Sequence, residues 1–275
     1  MFQRTARVIE HFPVAERTFR VRLECPEIAG AIRPGQFVML RLPNTTDPLL
    51  GRPFALYDTV LDASETATAF DVVYLVVGKM TGRLAAVEAG KFLEVWGPLG
   101  KPFLDVGMPD RVALVAGGIG QTPFLAYARE LLGTRGFGGD APRQRTSRVS
   151  LYYGVRNAAL AAGVEDFRAA GIDVHLASDD GSVGYKGFVT QLLESHGKTG
   201  SLIGCGPEPM LHALTKLAAK WEVPCRVSLE TPMACGIGIC FSCVTKVKTP
   251  EGGWDYKRVC VDGPVFDAAS LVWGS

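Results

Sequence analysis

Through the first hundred residues, short apolar or alternating runs are separated by turn residues, and the runs at 4–10, 18–24, 37–42, 54–59, 69–77 and 92–96 predict β-strands. Strands at this spacing predict an antiparallel barrel or sandwich. Near Met108-Pro109-Asp110 the texture changes: a nearly continuous apolar run, 111–116, precedes a segment with helical spacing, 123–132. That is the pattern of a buried parallel strand feeding a helix. The alternation continues with strands at 149–153, 173–177 and 201–205 and helices at 164–170, 188–195 and 209–220, which predicts an open α/β sheet. Residues 133–147, rich in Gly and Arg, break the alternation and read as a surface loop. From Val227 onward strands are short and cysteines cluster, and about 50 residues are too few to be stable without a staple or a metal. The chain therefore reads as β plus α/β multidomain, with an antiparallel β-barrel over 1–107, an open parallel α/β nucleotide-binding domain over 108–226 and a small third module over 227–275.

Composition removes several function classes. With 275 residues, 47% hydrophobic and 21% charged, the chain is neither disordered nor fibrous. Lys and Arg number 29 against 28 Asp and Glu, a net charge of +1, which offers no electrostatic footprint for nucleic acid or an anionic membrane. The longest strongly apolar stretch, 72–77, falls far short of the roughly 18 residues of a membrane helix. No apolar core follows Arg4 and Arg7, so no secretory signal is expected and the default address is the cytoplasm. In a reducing compartment seven cysteines are not a disulfide framework, and five of them lie between Cys205 and Cys243.

Cys235, Cys240 and Cys243 are spaced C-x4-C-x2-C, and Cys260 follows 16 residues later. This is the plant-type spacing for a [2Fe-2S] cluster, whose two irons need four thiolates converging from one loop and one distant strand. Gly236 and Gly238 allow positive φ and let backbone N–H groups approach the inorganic sulfides. The alternative is a structural zinc site with four cysteines, which normally shows paired C-x2-C knuckles where only one is present here. Cys25 and Cys225 read as inert thiols.

After the strand at 111–116 comes Gly117-Gly118-Ile119-Gly120-Gln121-Thr122-Pro123, a turn where glycines let backbone approach a pyrophosphate at a helix N-terminus. It is not G-x-G-x-x-G, but Gly204-Cys205-Gly206-Pro207 ends a later parallel strand at the same ligand-binding edge, so both loops face one ligand. In the barrel, Arg52-Pro53-Phe54-Ala55 offers a guanidinium for phosphate beside an aromatic that can cover a flat ring. Gly78-Lys79-Met80-Thr81-Gly82 and Gly97-Pro98-Leu99-Gly100 read as further turns with free amides.

Taken in order, these motifs resemble the ferredoxin-NADP reductase superfamily, and more closely the electron-transfer subunits of class 1B dihydroorotate dehydrogenases. The resemblance spans essentially the full chain and adds Tyr153-Gly154-Val155-Arg156, Asp179-Asp180-Gly181-Ser182 and the closing run from Arg258 to Phe266. It implies that Arg52, Pro53, Phe54, Ala55, Val73, Tyr74, Leu75, Met80 and Thr81 contact FAD, with Arg52 on the pyrophosphate. It implies NAD at Gly117, Gly118, Gly120, Thr122, Pro123, Arg156, Cys205, Gly206 and Pro207, with Cys205 near the nicotinamide, and a [2Fe-2S] cluster on Cys235, Cys240, Cys243 and Cys260. Two positions depart from the family pattern: Ala55 stands where Ser is usual, removing a side-chain hydrogen bond to the flavin, and Met80 stands where Gly is usual, so the backbone must keep negative φ there.

The resemblance further implies that electrons from an FMN in a partner catalytic subunit, which oxidises dihydroorotate in pyrimidine biosynthesis, reach NAD+ through the cluster and FAD within a heterotetramer. No general acid or base is required on this chain, and His11, His175, His196 and His212 are scattered. Glu230 reads either as a group orienting nicotinamide or as a surface carboxylate. The alternatives are an NAD(P)H-dependent diaphorase subunit of a ferredoxin- or hydrogenase-linked complex and a non-redox zinc module. NAD is preferred to NADP on resemblance alone, since no acid directly follows the strand ending at Tyr153 and Arg156 suits a 2'-phosphate.

Overall fold

The computed structural model describes residues 1–103 and 110–274. The first part holds β1 (Phe2–Ala15), β2 (Thr18–Glu24), α1 (Pro26–Ala31), β3 (Phe37–Arg41), β4 (Arg52–Ala55), β5 (Asp58–Leu61), β6 (Ala67–Leu75), α2 (Lys79–Leu84) and β7 (Phe92–Leu99). The strands form one antiparallel seven-stranded sheet in the order β4-β3-β7-β1-β2-β6-β5. Alternation on β7 turns Leu93 and Val95 inward, where they meet Val8, Leu23, Val38 and Phe70. No ladder joins β4 to β5 among the described residues, so the barrel is a half-barrel, open along one side.

Two expectations for this domain are corrected. The single strand at 54–59 is two, β4 and β5, at opposite edges of the sheet, and the fully buried Leu56 and Tyr57 lie between them. A buried apolar connection reads in sequence like the strand it interrupts. The turn at 78–82 is the entry of α2, where the Thr81 hydroxyl accepts from the Val77 and Gly78 N–H groups at 3.0 and 3.1 Å. Met80 therefore sits in helical backbone with negative φ, and replacing glycine there causes no strain.

The second part runs β8 (Arg111–Gly117), α3 (Phe124–Leu132), β9 (Arg148–Val155), α4 (Val164–Ala169), β10 (Asp173–Ser178), β11 (Tyr185–Lys186), α5 (Val189–His196), β12 (Ser201–Cys205), α6 (Glu208–Trp221) and β13 (Cys225–Ser228). After it come β14 (Val244–Lys248), β15 (Trp254–Arg258), α7 (Val259–Asp262) and β16 (Val265–Asp267). The sheet order β11-β10-β9-β8-β12-β13-β16 is parallel except for β16. Chain order reverses on either side of β8, so the loops after β8 and β12 diverge at the carboxyl edge, the switch point where such sheets bind ligands.

The boundary expected between 226 and 227 falls inside β13, and β16 returns from the last fifty residues to pair with it. The cysteine loop and the β14–β15 hairpin are thus fastened to the α/β sheet rather than set apart. The boundary at 107/108 lies outside the described residues. Residues 133–147 contain no helix or strand, but they are no mere surface loop, because Phe137 is buried in the half-barrel core and Arg135 pairs with Asp58 and donates to the Thr59 carbonyl.

Asp58, nearly buried, also pairs with Arg129 of α3, and burial raises its carboxyl above the usual range against the pull of the two arginines. A second tie crosses between the domains: Asp71 on β6, wholly buried, pairs with Arg20 and Arg22 of β2, while Arg20 reaches Asp166 of α4 at 3.3 Å and the Tyr57 hydroxyl donates to Asp166 at 2.6 Å.

On the other face of the α/β domain, His175 stacks on Tyr152 with ring centroids 4.8 Å apart and meets His196 edge-on at 4.7 Å. Burial and then His196 lower its pKa, with Asp173 opposing and Arg148 reinforcing the shift. The unfolded chain binds a proton below the ordinary histidine value that the fold resists, so this group costs stability as pH falls below about 6.5. The melting temperature should drop between pH 7.5 and 5.5, and His175→Gln should make that drop smaller; an unchanged drop would remove His175 as its source.

Candidate active site

Two connected cavities lie where the carboxyl edge of the α/β sheet meets the half-barrel. The smaller, about 460 Å³, takes its walls from β4, from residues 73–75 of β6, from the entry of α2 and from the segment 228–233 after β13. The larger, about 920 Å³, lies over the loops after β8, β9, β10 and β12. They share Leu75, Val77, Ile119 and Glu230.

Every residue expected at FAD, Arg52–Ala55 with Val73, Tyr74, Leu75, Met80 and Thr81, lines the smaller cavity. Arg52 is exposed and donates to the Leu50 and Gly51 carbonyls at 3.1 and 2.9 Å, which holds the turn before β4. The Thr231 hydroxyl, on a residue of the same wall, is buried without a partner.

The residues expected at NAD divide. Gly117, Gly118, Arg156, Gly206 and Pro207 line the larger cavity. Thr122 and Pro123 line the smaller one instead, because the tight turn Gly118–Gln121 carries the chain from one cavity to the other before α3 begins, and Cys205 lines it from the end of β12. Gly120 lines neither; its Cα faces the Cys205 carbonyl, and a Cβ there would overlap that oxygen. Gly120→Ala should therefore push apart the loops after β8 and β12, at about 1–3 kcal/mol as an overpacking cost. Thermal melting and nucleotide affinity should fall together, and a wild-type melt would show that the loops yield freely.

Cys205 is buried, and its thiol is pushed well up by burial and then by Glu230, whose Oε1 lies 4.0 Å from Sγ. Glu230 lines both cavities and is solvent-exposed, and desolvation by the protein around it raises its carboxyl above the usual range. It is not a plain surface carboxylate. It stands where the two cavities join.

The cysteine loop abuts the smaller cavity: Met233, two residues before Cys235, is in its wall, and Trp96 of β7 donates Nε1–H to the Cys235 carbonyl at 3.1 Å. The thiols meet two and two, Cys240 with Cys235 and Cys260 with Cys243, and Cys235 also acts electrostatically on Cys260. Among the described residues no three metal-binding side chains gather closely enough for one ion. Two pairs match the two irons of a [2Fe-2S] cluster, each taking two thiolates. Gly236 and Gly238 adopt φ of +73° and +86°, and a Cβ on them would strike Met39 and Val261, so backbone alone fits this loop. The Ile237 N–H donates to Cys235 Sγ at 3.4 Å, and Ser242 Oγ lies 3.2 Å from Cys240 Sγ, a contact that lowers this thiol to about 6.

Ser228, Thr231, Met233 and Phe188 were not marked by spacing or composition; only the nearness of 228–233 to Cys235 hints at that group.

Residues 230–272 match the family model described as the iron-sulfur cluster binding domain of dihydroorotate dehydrogenase B. The chain is 34% identical over 271 residues to the dihydroorotate dehydrogenase B (NAD(+)) electron transfer subunit of Desulforamulus reducens, covering 98% of this chain and 97% of that one. It is 37% identical over 262 residues to the protein of the same name from Geobacillus kaustophilus, covering 94% of each. Among solved structures it resembles a chain from the NADH-dependent reduced ferredoxin-NADP oxidoreductase, with a TM-score of 0.80 and 28% identity over 98% of this chain and 90% of that one.

Proposed function

Because the chain belongs to the family of electron transfer subunits of dihydroorotate dehydrogenase B (NAD(+)), we propose that it carries electrons from a partner catalytic subunit through a [2Fe-2S] cluster and FAD to NAD+. The observation that carries this reading is the order of the sites. The cysteine loop abuts the smaller cavity, and the smaller cavity shares a wall with the larger. Flavin exchanges electrons singly with a cluster and in pairs, as hydride, with nicotinamide, and that is the chemistry these groups supply when bound.

The chain's own residues do the placing. Cys235, Cys240, Cys243 and Cys260 hold the cluster. Phe54 and Tyr74, ring centroids 5.6 Å apart, give the smaller cavity an aromatic wall for the flavin, and Arg52 stands at its rim for phosphate. Gly118, at φ +55° with open space beside its Cα, and Gly206 admit the dinucleotide backbone to the larger cavity. Ile119 and Glu230, common to both cavities, stand where the two rings meet.

A catalytic subunit that oxidises dihydroorotate on FMN, within a heterotetramer, completes this reading. Ile237, Ile239 and Phe241 are exposed around the cluster thiols and supply the apolar face for docking. None of the seven cysteines is joined in a disulfide, which supports the cytoplasm as the compartment, and no helix among the described residues is long and apolar enough to cross a membrane.

The test is an anaerobic visible spectrum of the chain copurified with its co-encoded catalytic subunit. Dihydroorotate should bleach flavin and cluster bands, and NAD+ should restore them with formation of NADH. A normal spectrum that dihydroorotate leaves unchanged while NADH bleaches it would replace this reading with a diaphorase.

A further inference from the structure

One side chain of the half-barrel reaches the cysteine loop by a hydrogen bond. Trp96 stands on β7 directly opposite Met39 of β3, so the two side chains share a face of the sheet. The Trp96 indole N–H donates to the Cys235 carbonyl at 3.1 Å, and Met39 lies so close to the next residue, Gly236, that a Cβ there would come within 2.6 Å of its Cγ. Among the described residues this is the only hydrogen bond between the half-barrel and residues 235–243, and the Cys235 carbonyl takes no other. The half-buried indole is held on a second side as well, because a Cβ on Gly51 would lie 2.6 Å from its Cη2.

The face that carries Trp96 also touches the flavin site. Phe37 and Met39, two positions apart on β3, join the apolar group that encloses Cys243 and Cys260, whereas Val38 between them joins the half-barrel core. Phe37 lines the smaller cavity, so about 7 Å of one strand separates the cavity wall from the support of the cysteine loop. On the other side of the indole, Gly51 immediately precedes Arg52 of the same cavity wall. Apolar contact with Met39 is non-directional and would let the loop slide along this face. The indole hydrogen bond is directional and fixes its place.

We propose that Trp96 is a positioning residue for electron transfer between cluster and flavin: its indole N–H pins the Cys235 backbone to the half-barrel and thereby fixes the gap that each electron crosses. This rests on the reading of the cysteine loop as the cluster site and of the smaller cavity as the flavin site. Each crossing moves one electron, lost by one centre and gained by the other, and two crossings with one solvent proton make up the hydride passed to NAD+. Trp96 takes no part in that chemistry and lines neither cavity. Removing its N–H frees Cys235 to shift with its loop and leaves the nucleotide side of the flavin untouched.

Anaerobic stopped-flow mixing of the copurified complex with NADH tests this, since NADH drives the transfer in reverse and the flavin and cluster bands are read separately. In Trp96→Phe, which keeps an aromatic ring beside Gly51, the first flavin phase should bleach at the wild-type rate. The cluster band should follow about tenfold more slowly at full cluster content, and iron release from the oxidised complex to a chelator should quicken about tenfold. Benzothienylalanine in place of Trp96, with sulfur where the N–H was and the ring shape kept, should give the same two effects; it carries the test if Trp96→Phe fails to fold. Wild-type cluster bleaching and iron release in the benzothienyl variant would overturn the proposal while leaving the cofactor sites standing. Equal slowing of flavin and cluster would also overturn it, since the residue would then act on the whole fold. Wild-type complex in which NADH bleaches neither band would overturn both the proposal and the reading beneath it.

Discussion

Cys243→Ser is expected to abolish dihydroorotate-dependent NADH formation, a loss beyond the roughly 100-fold that removing even an outer partner of a metal site causes. Cys243 is buried and paired with Cys260, which is itself buried at the start of α7. A serine there leaves one iron with a single thiolate from the chain, and no other described side chain of suitable type is placed to replace it. The cluster bands should vanish from the visible spectrum, while the flavin band remains, since no wall of the smaller cavity includes Cys243. Retention of cluster absorption with full turnover would remove Cys243 from the ligand set.

Asp71→Ala should be the most destabilising single substitution in the half-barrel. The carboxylate is wholly buried and receives hydrogen bonds from both Arg20 and Arg22, whose side chains are only 16% and 21% exposed. Removing it takes the one fully buried partner from two guanidiniums, leaving Arg20 only Asp166 at 3.3 Å and Arg22 only the more exposed Glu10 at 2.8 Å, and breaking a buried pair in this way costs about 3–5 kcal/mol. For a chain of this size that is a fall of roughly 10 °C in melting temperature. Asp71 sits two residues before Val73, so flavin fluorescence should be released at the same lowered temperature. A melt within about 2 °C of wild type would mean that water already solvates the arginines.

The cysteine motif was legible because plant-type spacing is a local property of one loop and one later segment, which the fold puts in α7 rather than on the distant strand expected. The β8 turn and the β12 end were legible because glycines at the carboxyl edge of a parallel sheet follow from topology. What stayed hidden depends on contacts between distant segments. Val265–Asp267 is three residues long and carries no periodicity, so nothing in it announces a partner in β13. Thr122 lines the smaller cavity rather than the larger because a short helical turn reorients the chain within four residues, whereas Cys205 lines it as the last residue of β12. Glu230 was ambiguous since a place at a cavity junction leaves no trace in composition. Asp71 and Arg20 read as ordinary polar positions of alternating strands, and only folding sets Arg20 between Asp71 and Asp166 of the next domain.

Phe137 belongs by sequence to the nucleotide domain, yet it is buried within the hydrophobic cluster of the half-barrel. A fragment ending at residue 103 would therefore be hollow at that point, with apolar side chains open to water. Attempts to express the flavin domain alone should give an aggregating product, whereas a permuted chain that keeps Phe137 in place should remain soluble. The borrowed ring also ties the half-barrel's stability to its neighbour, so limited proteolysis between the domains should leave no stable flavin half behind.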